Sequence, residues 1–105
     1  MAKTIVDTNA LIYATKKKQD LANKIDGQIL IPNLVINELE KLSKTADKAS
    51  DKLAAKLAIQ IIKHKKWKII KLEKGHTDKR IAEYAKTHNC EVYTFDKQLK
   101  RSLSR

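Results

Sequence analysis

Short apolar segments alternate with longer helical segments along the whole 105-residue sequence. Segments rich in β-branched and aromatic residues predict four strands, at 4–6, 28–31, 67–72 and 90–95. Apolar residues at helical spacing predict helices at about 10–25, 33–43, 52–64 and 97–103, with a further helix capped by Thr77. Strands that alternate with helices in this way form a parallel sheet covered on both faces. We therefore predict a three-layer α/β/α fold.

The chain is strongly basic and has the size of a single domain, residues 1–105. It carries 23 Lys and Arg against 12 Asp and Glu, a formal net charge of +11 at pH 7. Such a charge attracts polyanions, so nucleic acid is the expected partner, with an anionic membrane surface second. The alternative is that the lysines only solubilise the surface.

The cysteine count and the first residues indicate where the protein works. Cys90 is the single cysteine, so the chain can form neither an internal disulfide nor a cysteine-based zinc site. The apolar stretch in residues 1–14 is too short and too interrupted for a signal peptide or a membrane span. We expect a soluble cytoplasmic protein that does not bind a membrane.

Two aspartates directly follow predicted strands. Asp7 ends the first strand and Asp96 the fourth, so both are expected at the carboxyl edge of the sheet, where ligands bind. Each also precedes a predicted helix and is of a residue type that caps helices. The sequence is compatible with capping and with a carboxylate directed into a crevice.

Two more acids are predicted to face inward on helices. Glu38 falls within the apolar stripe of the second long helix, and Asp78 falls on the apolar side of the helix after Thr77. A buried carboxylate needs a cation, a hydrogen-bond network or a wet pocket. The alternatives are a Glu38 at the margin of its stripe and an Asp78 favoured only by the helix dipole.

Four carboxylates at one crevice would repel one another unless cations neutralise them. Oxygen ligands without a set of thiolates suit a hard ion such as Mg²⁺ or Mn²⁺. One or two such ions can generate a hydroxide nucleophile and stabilise charge on a phosphodiester. A metal-dependent phosphodiesterase is therefore the predicted activity.

Four motifs, spread over nearly the whole length of the sequence, resemble those of the PIN-domain nucleases. They are IVDTNALIY, IPNLVINELEKL, DKRIAEYA and VYTFDKQLKR. The compact form is similar to archaeal PIN proteins related to the branch that processes ribosomal RNA. It resembles the toxins of toxin–antitoxin pairs somewhat less.

The resemblance implies an endoribonuclease in which metal-activated water cleaves single-stranded RNA and leaves a 5′-phosphate and a 3′-hydroxyl. It implies the family's sheet order 3-2-1-4-5. This sequence provides the first four strands, in the order 3-2-1-4, and the expected fifth strand is absent. Two explanations are open: the domain is naturally or artificially short at this end, or a partner protein or a second copy of the chain covers that edge. The implied catalytic ligands of Mg²⁺ or Mn²⁺ are Asp7, Glu38, Asp78 and Asp96, and the implied flanking polar residues are Asn9 and Thr94.

Basic and aromatic residues near the predicted site are candidates for contacts with RNA. Tyr13 and Phe95 are the aromatic residues placed to stack on a base. Trp67, Tyr84 and Tyr93 are predicted to be core or strand residues. The candidates for contacts with the phosphate backbone are Lys97, Lys100, Arg101, Lys16 and Lys17.

Other functions are less compatible with the sequence. A non-catalytic RNA-binding module in ribosome assembly would bind through Lys and Arg and gain nothing from a negative pocket. A receiver-like domain with Asp7 as phosphoryl acceptor needs a strand-end lysine facing Asp7, and Lys97 is in the wrong phase. The chain has no phosphate-binding glycine-rich loop, and its histidines lack the spacing of metalloproteases.

Overall fold

A computed structural model describes residues 2–95 and 97–103. The strands in this part of the chain are β1 (Lys3–Val6), β2 (Gln28–Pro32), β3 (Lys68–Ile70) and β4 (Glu91–Tyr93). They form one parallel sheet in the order β3-β2-β1-β4, which confirms the predicted order. Because all four strands run in the same direction, their carboxyl ends meet at one edge of the sheet.

The helices of the described residues flank both faces of this sheet, so the predicted α/β/α architecture is confirmed. They are α1 (Thr8–Lys16), α2 (Leu21–Lys24), α3 (Asn33–Thr45), α4 (Ala49–Lys65), α5 (Thr77–His88) and α6 (Lys97–Leu103). Helices α1, α3 and α4 pack against one another, and α5 packs against α6 and β4. Within the described ranges, no helix has the length and apolar character needed to cross a membrane.

The two central strands form the centre of the core. Ile5, Val6 and Ile31 have no exposed surface, and Leu30 is almost completely buried. Strands covered on both faces are typically apolar, as residues 5–6 and 29–31 are. Ile81 from α5 and Leu99 from α6 are buried in the same core, which fixes both helices relative to the sheet.

The helix predicted at about 10–25 is instead two helices separated by a short loop. α1 ends at Lys16, and Lys18 has a left-handed backbone with φ of 55°. Asp20 then caps the start of α2: its Oδ1 accepts a hydrogen bond from the Ala22 amide at 2.9 Å. A left-handed residue followed by a capping aspartate ends one helix and starts another.

Strands β3 and β4 are shorter than predicted, because the strands with which they pair, β2 and β1, end early. The last pair between β2 and β3 is Pro32 with Ile70, since Pro32 is followed at once by α3. The last pair between β1 and β4 is Val6 with Tyr93, since Asp7 leaves the strand to begin α1. The predicted cap Thr77 is the first residue of α5 rather than the residue before it.

Asn33 joins the start of α3 to the segment that follows β3. Its Oδ1 accepts a hydrogen bond from the Leu72 amide at 2.7 Å, and its Nδ2 donates to the Leu72 carbonyl at 3.2 Å. Leu72 is buried, so the side chain of Asn33 satisfies both polar groups of a buried residue. The position of α3 over the sheet edge depends on this contact.

We predict that Asn33→Ala lowers the free energy of unfolding by about 1 to 3 kcal/mol, because the Leu72 amide and carbonyl lose their partner. Urea denaturation followed by circular dichroism measures the change. Asn37→Ala is the matched control, since Asn37 lies on the same helix with an exposed side chain. Equal stability of the two variants would contradict the role assigned to Asn33.

Candidate active site

Asp7 lies where β1 ends and α1 begins, and its carboxylate caps the helix. Oδ1 of Asp7 accepts a hydrogen bond from the Ala10 amide at 2.8 Å, and the residue is 4% exposed. Its own amide donates to the Tyr93 carbonyl at 3.3 Å, which extends the contact between β1 and β4 by one residue. The capping interpretation of Asp7 is therefore correct, and it does not exclude a second role.

Thr94 supports the other oxygen of this carboxylate. Its hydroxyl donates a hydrogen bond to Oδ2 of Asp7, and both residues are buried. Thr94 directly follows β4, and β4 pairs with β1, so the sheet itself brings the hydroxyl to Asp7. Hydrogen bonds on both oxygens hold the carboxylate in one orientation, as the hydrogen-bond partners of metal-binding carboxylates do.

Glu38 is held by a residue of another helix. The Thr8 hydroxyl donates to Oε1 of Glu38 at 2.5 Å, which links the first turn of α1 to the middle of α3. Glu38 is exposed rather than buried within its apolar stripe. Only Val35 and Leu39 of its stripe are fully buried, so the buried face of α3 is narrower than the apolar pattern suggests and Glu38 lies at its margin.

Asp78 is also exposed rather than buried. It lies in the first turn of α5, whose buried residues are Ile81, Ala82 and Ala85. An acid in the first turn is favoured by the helix dipole, which was the alternative explanation of its position. The start of α5 nevertheless brings Asp78 to the same cavity as the other two acids.

One open cavity of about 370 Å³ brings these acids together. Three of the four predicted carboxylates line it, from the ends or surfaces of three different helices. Predicted Asn9 also lines it, whereas Asp96 lies outside the described residues. The lining residues are Asp7, Thr8, Asn9, Glu38, Lys41, Leu42, Thr45, Thr77 and Asp78.

The cavity has the chemistry of a site for a hard divalent cation. Its polar atoms are mostly carboxylate, hydroxyl and amide oxygens, the donors that Mg²⁺ and Mn²⁺ prefer. Among residues 2–95 and 97–103, no three His, Cys, Asp or Glu residues lie close enough to hold one ion. Mg²⁺ commonly keeps several waters and uses one or two carboxylates directly, so acids distributed around a cavity suit it.

Five of the nine lining residues were not predicted as site residues, among them Thr8 and Lys41. Thr8 looks like a turn residue between Asp7 and Asn9, and its partner Glu38 is 30 positions away, so no local pattern indicates the contact. Lys41 follows Glu38 by three residues and therefore projects on the same side of α3. That spacing is a signal from which Lys41 could have been found.

The predicted RNA-binding lysines lie outside the lining of this cavity. Lys16 forms an ion pair with Asp51, which joins α1 to α4. Nζ of Lys17 lies 5.9 Å from the centre of the Tyr13 ring. Lys97, Lys100 and Arg101 are exposed on α6.

Comparison with known proteins agrees with this arrangement. A family model described as a PIN-like domain matches residues 4–105. The chain is 32% identical over 101 residues to a protein of Archaeoglobus fulgidus named Ribonuclease VapC9, and the match covers 92% of this chain and 72% of that relative.

The two contacts of Asp7 predict different outcomes for two substitutions. Asp7→Ala removes the cap of α1 and should lower the free energy of unfolding by about 1 to 2 kcal/mol. Asp7→Asn keeps an acceptor for the Ala10 amide and gains an NH₂ group that can donate to Thr94, so its stability should remain close to wild type. Thermal denaturation of both variants measures this, and an Asn variant as unstable as the Ala variant would contradict the capping geometry.

Proposed function

This chain belongs to the family of PIN-like domains, and we propose that it is a metal-dependent endoribonuclease formed by a single domain over residues 1–105. The observation that carries the proposal is the convergence of three carboxylates on one cavity in a protein with a net charge of +11. A protein that only bound a polyanion would gain nothing from negative groups at the centre of its site. The similarity to a protein named as a ribonuclease supports RNA as the substrate.

In the proposed site, Asp7, Glu38 and Asp78 surround Mg²⁺ or Mn²⁺, with one or two of them binding the ion directly and the others binding it through water. Asp96 is the fourth ligand proposed from the sequence. When bound, the ion supplies a water nucleophile at neutral pH and positive charge for the phosphoryl oxygens. Asp7 is the most rigid of the described ligands, because the Ala10 amide and the Thr94 hydroxyl fix both of its oxygens. Glu38 is oriented by Thr8.

The proposed substrate is single-stranded RNA in the cytoplasm. Lys41 lies beside the carboxylates and is placed to contact a phosphate of the bound strand. Other basic residues lie farther from the cavity and are proposed to contact the phosphate backbone of the RNA. They are Lys97, Lys100 and Arg101 on α6 and Lys17 after α1. These contacts make the affinity dependent on salt.

Two biological roles are compatible with this activity, ribosomal RNA processing and action as the toxin of a toxin–antitoxin pair. The similarity to a protein named Ribonuclease VapC9 favours the toxin. An exposed apolar row on α4, formed by Leu53, Leu57 and Ile61, is a surface that a protein partner would cover. Growth arrest on expression of the wild-type chain but not of Asp7→Asn would support the toxin, and unimpaired growth would favour RNA processing.

We predict that the protein cleaves single-stranded RNA in the presence of Mg²⁺ or Mn²⁺, and that Asp7→Asn lowers the rate at least about 100-fold. The substitution removes the charge that binds the ion but keeps the cap. Gel analysis of an end-labelled RNA measures the rate, and excess chelator should abolish cleavage by the wild type.

Asp26→Asn is the matched control for this experiment. Asp26 is exposed and precedes β2, so it lies at the opposite end of the sheet from the cavity. It should leave the rate unchanged. Wild-type activity in Asp7→Asn, or in chelator, would refute the metal-dependent mechanism and leave the non-catalytic RNA-binding module as the better explanation.

We further predict that Lys41→Gln weakens RNA binding and lowers the dependence of log K on log salt by about 0.7, the value for one phosphate contact on a single strand. Fluorescence anisotropy at several salt concentrations measures both quantities. Lys44→Gln is the control, since Lys44 is exposed on the same helix but does not line the cavity. Equal salt dependence of the two variants would contradict a phosphate contact by Lys41.

A further inference from the structure

Tyr13 and Phe95 form an exposed aromatic pair. Their ring centres are 4.9 Å apart at an angle of 61°, an edge-to-face arrangement. Tyr13 is 44% exposed and Phe95 is 47% exposed, although aromatic residues usually bury most of their surface. The sequence holds only five aromatic residues. Two of them are exposed side by side and so contribute little apolar burial to the core, which indicates that this surface binds a ligand.

Tyr13 and Phe95 are each close along the chain to a residue of the carboxylate site. Tyr13 follows Asn9 by four residues on α1, so the two project from neighbouring turns of one helix face, and Asn9 lines the cavity. Phe95 follows Thr94, whose hydroxyl bonds to Asp7. A strand of RNA with a phosphate in the cavity therefore has a neighbouring nucleotide within reach of these rings.

The rings are held in place before any ligand binds. Tyr93, which is partly buried, contacts Phe95 edge to face with ring centres 5.6 Å apart. Phe95 thus lies between Tyr13 and Tyr93, supported from the helix and from the end of β4. A preformed aromatic surface loses little side-chain entropy when a planar ligand stacks on it.

Lys17 gives this surface a positive rim. Its Nζ lies 5.9 Å from the centre of the Tyr13 ring, which is within the range of a cation–π contact. An ammonium group over an exposed aromatic ring matches the two parts of a nucleotide, because the charge can pair with the phosphate and the aromatic surface can stack on the base. An apolar peptide would not need the charge.

We propose that Tyr13 and Phe95 form a base-stacking subsite for a nucleotide adjacent to the phosphodiester that is cleaved, with Lys17 contacting its phosphate. This proposal rests on the proposed ribonuclease function and specifies the kind of RNA that the ribonuclease binds. A base can stack on these rings only when it is not stacked between neighbours, so the subsite selects single-stranded over double-stranded RNA. It carries no preference for one base, because every base has a π-face.

Binding of a short single-stranded RNA to the wild type and to Tyr13→Leu tests the proposal. The RNA carries 2-aminopurine, whose fluorescence falls on stacking, and excess chelator prevents cleavage. Tyr13→Leu should weaken binding roughly 5- to 100-fold, the effect of losing one base–aromatic stack, and should remove part of the quenching. Tyr13→Phe should restore both, and affinity for duplex RNA should be the same in all three proteins.

Two controls separate stacking from general loss of apolar surface. Ile69→Ala should bind like the wild type, since Ile69 is 45% exposed but lies on β3, at the opposite edge of the sheet from β4. In a series of RNAs with one abasic position each, the wild type should lose affinity at the position that stacks. Tyr13→Leu should be insensitive to the abasic site at that position.

The outcomes distinguish this subsite from the function on which it rests. If metal-dependent cleavage occurs and Tyr13→Leu binds and quenches like the wild type, the subsite is refuted and the ribonuclease stands. If no cleavage occurs but Tyr13→Leu loses affinity and quenching, the subsite stands on a non-catalytic RNA-binding protein. Equal loss in Tyr13→Leu and Ile69→Ala would also refute stacking.

Discussion

The carboxylate of Asp7 joins the elements from which the site is built. One oxygen caps α1 through the Ala10 amide, and the other accepts the hydroxyl of Thr94 at the end of β4. The same residue directly follows β1, one of the two central strands of the sheet. Its position therefore fixes the direction in which α1 leaves the sheet, and with it the positions of Thr8, Asn9 and Tyr13. Thr8 in turn reaches α3 through Glu38.

The contrast between the basic chain and its acidic cavity follows from the chemistry of an RNA substrate. A positive surface draws RNA from solution, whereas carboxylates alone would repel its phosphates. A divalent cation removes this conflict, because it neutralises the carboxylates and binds the phosphate at the same point. The position of Lys41 beside Glu38 and Asp78 adds a positive group that does not depend on the ion.

The parallel sheet and the strand-end position of Asp7 could be predicted because they depend on local patterns, whereas the order of the strands was implied by the resemblance to the PIN-domain nucleases. Alternating strands and helices specify a parallel sheet, and a residue directly after a strand must lie at its carboxyl edge. That Glu38 and Asp78 are exposed could not be predicted in this way, because the width of a helix's buried face depends on the elements that pack against the helix. Leu34 and Leu42 are only partly buried, which leaves Glu38 at the solvent margin. The hydrogen bond from Thr8 to Glu38 is a tertiary contact that no spacing in the sequence encodes.

The central claim is that the carboxylates around this cavity hold a divalent cation. Anomalous diffraction from crystals soaked in Mn²⁺ tests it directly. We expect a manganese peak inside the cavity, with an oxygen of Asp7 and an oxygen of at least one other carboxylate within about 2.0 to 2.6 Å. Crystals of the Asp7→Asn variant should lack the peak. A cavity without manganese in the wild-type crystals, or a peak that persists in Asp7→Asn, would contradict the account.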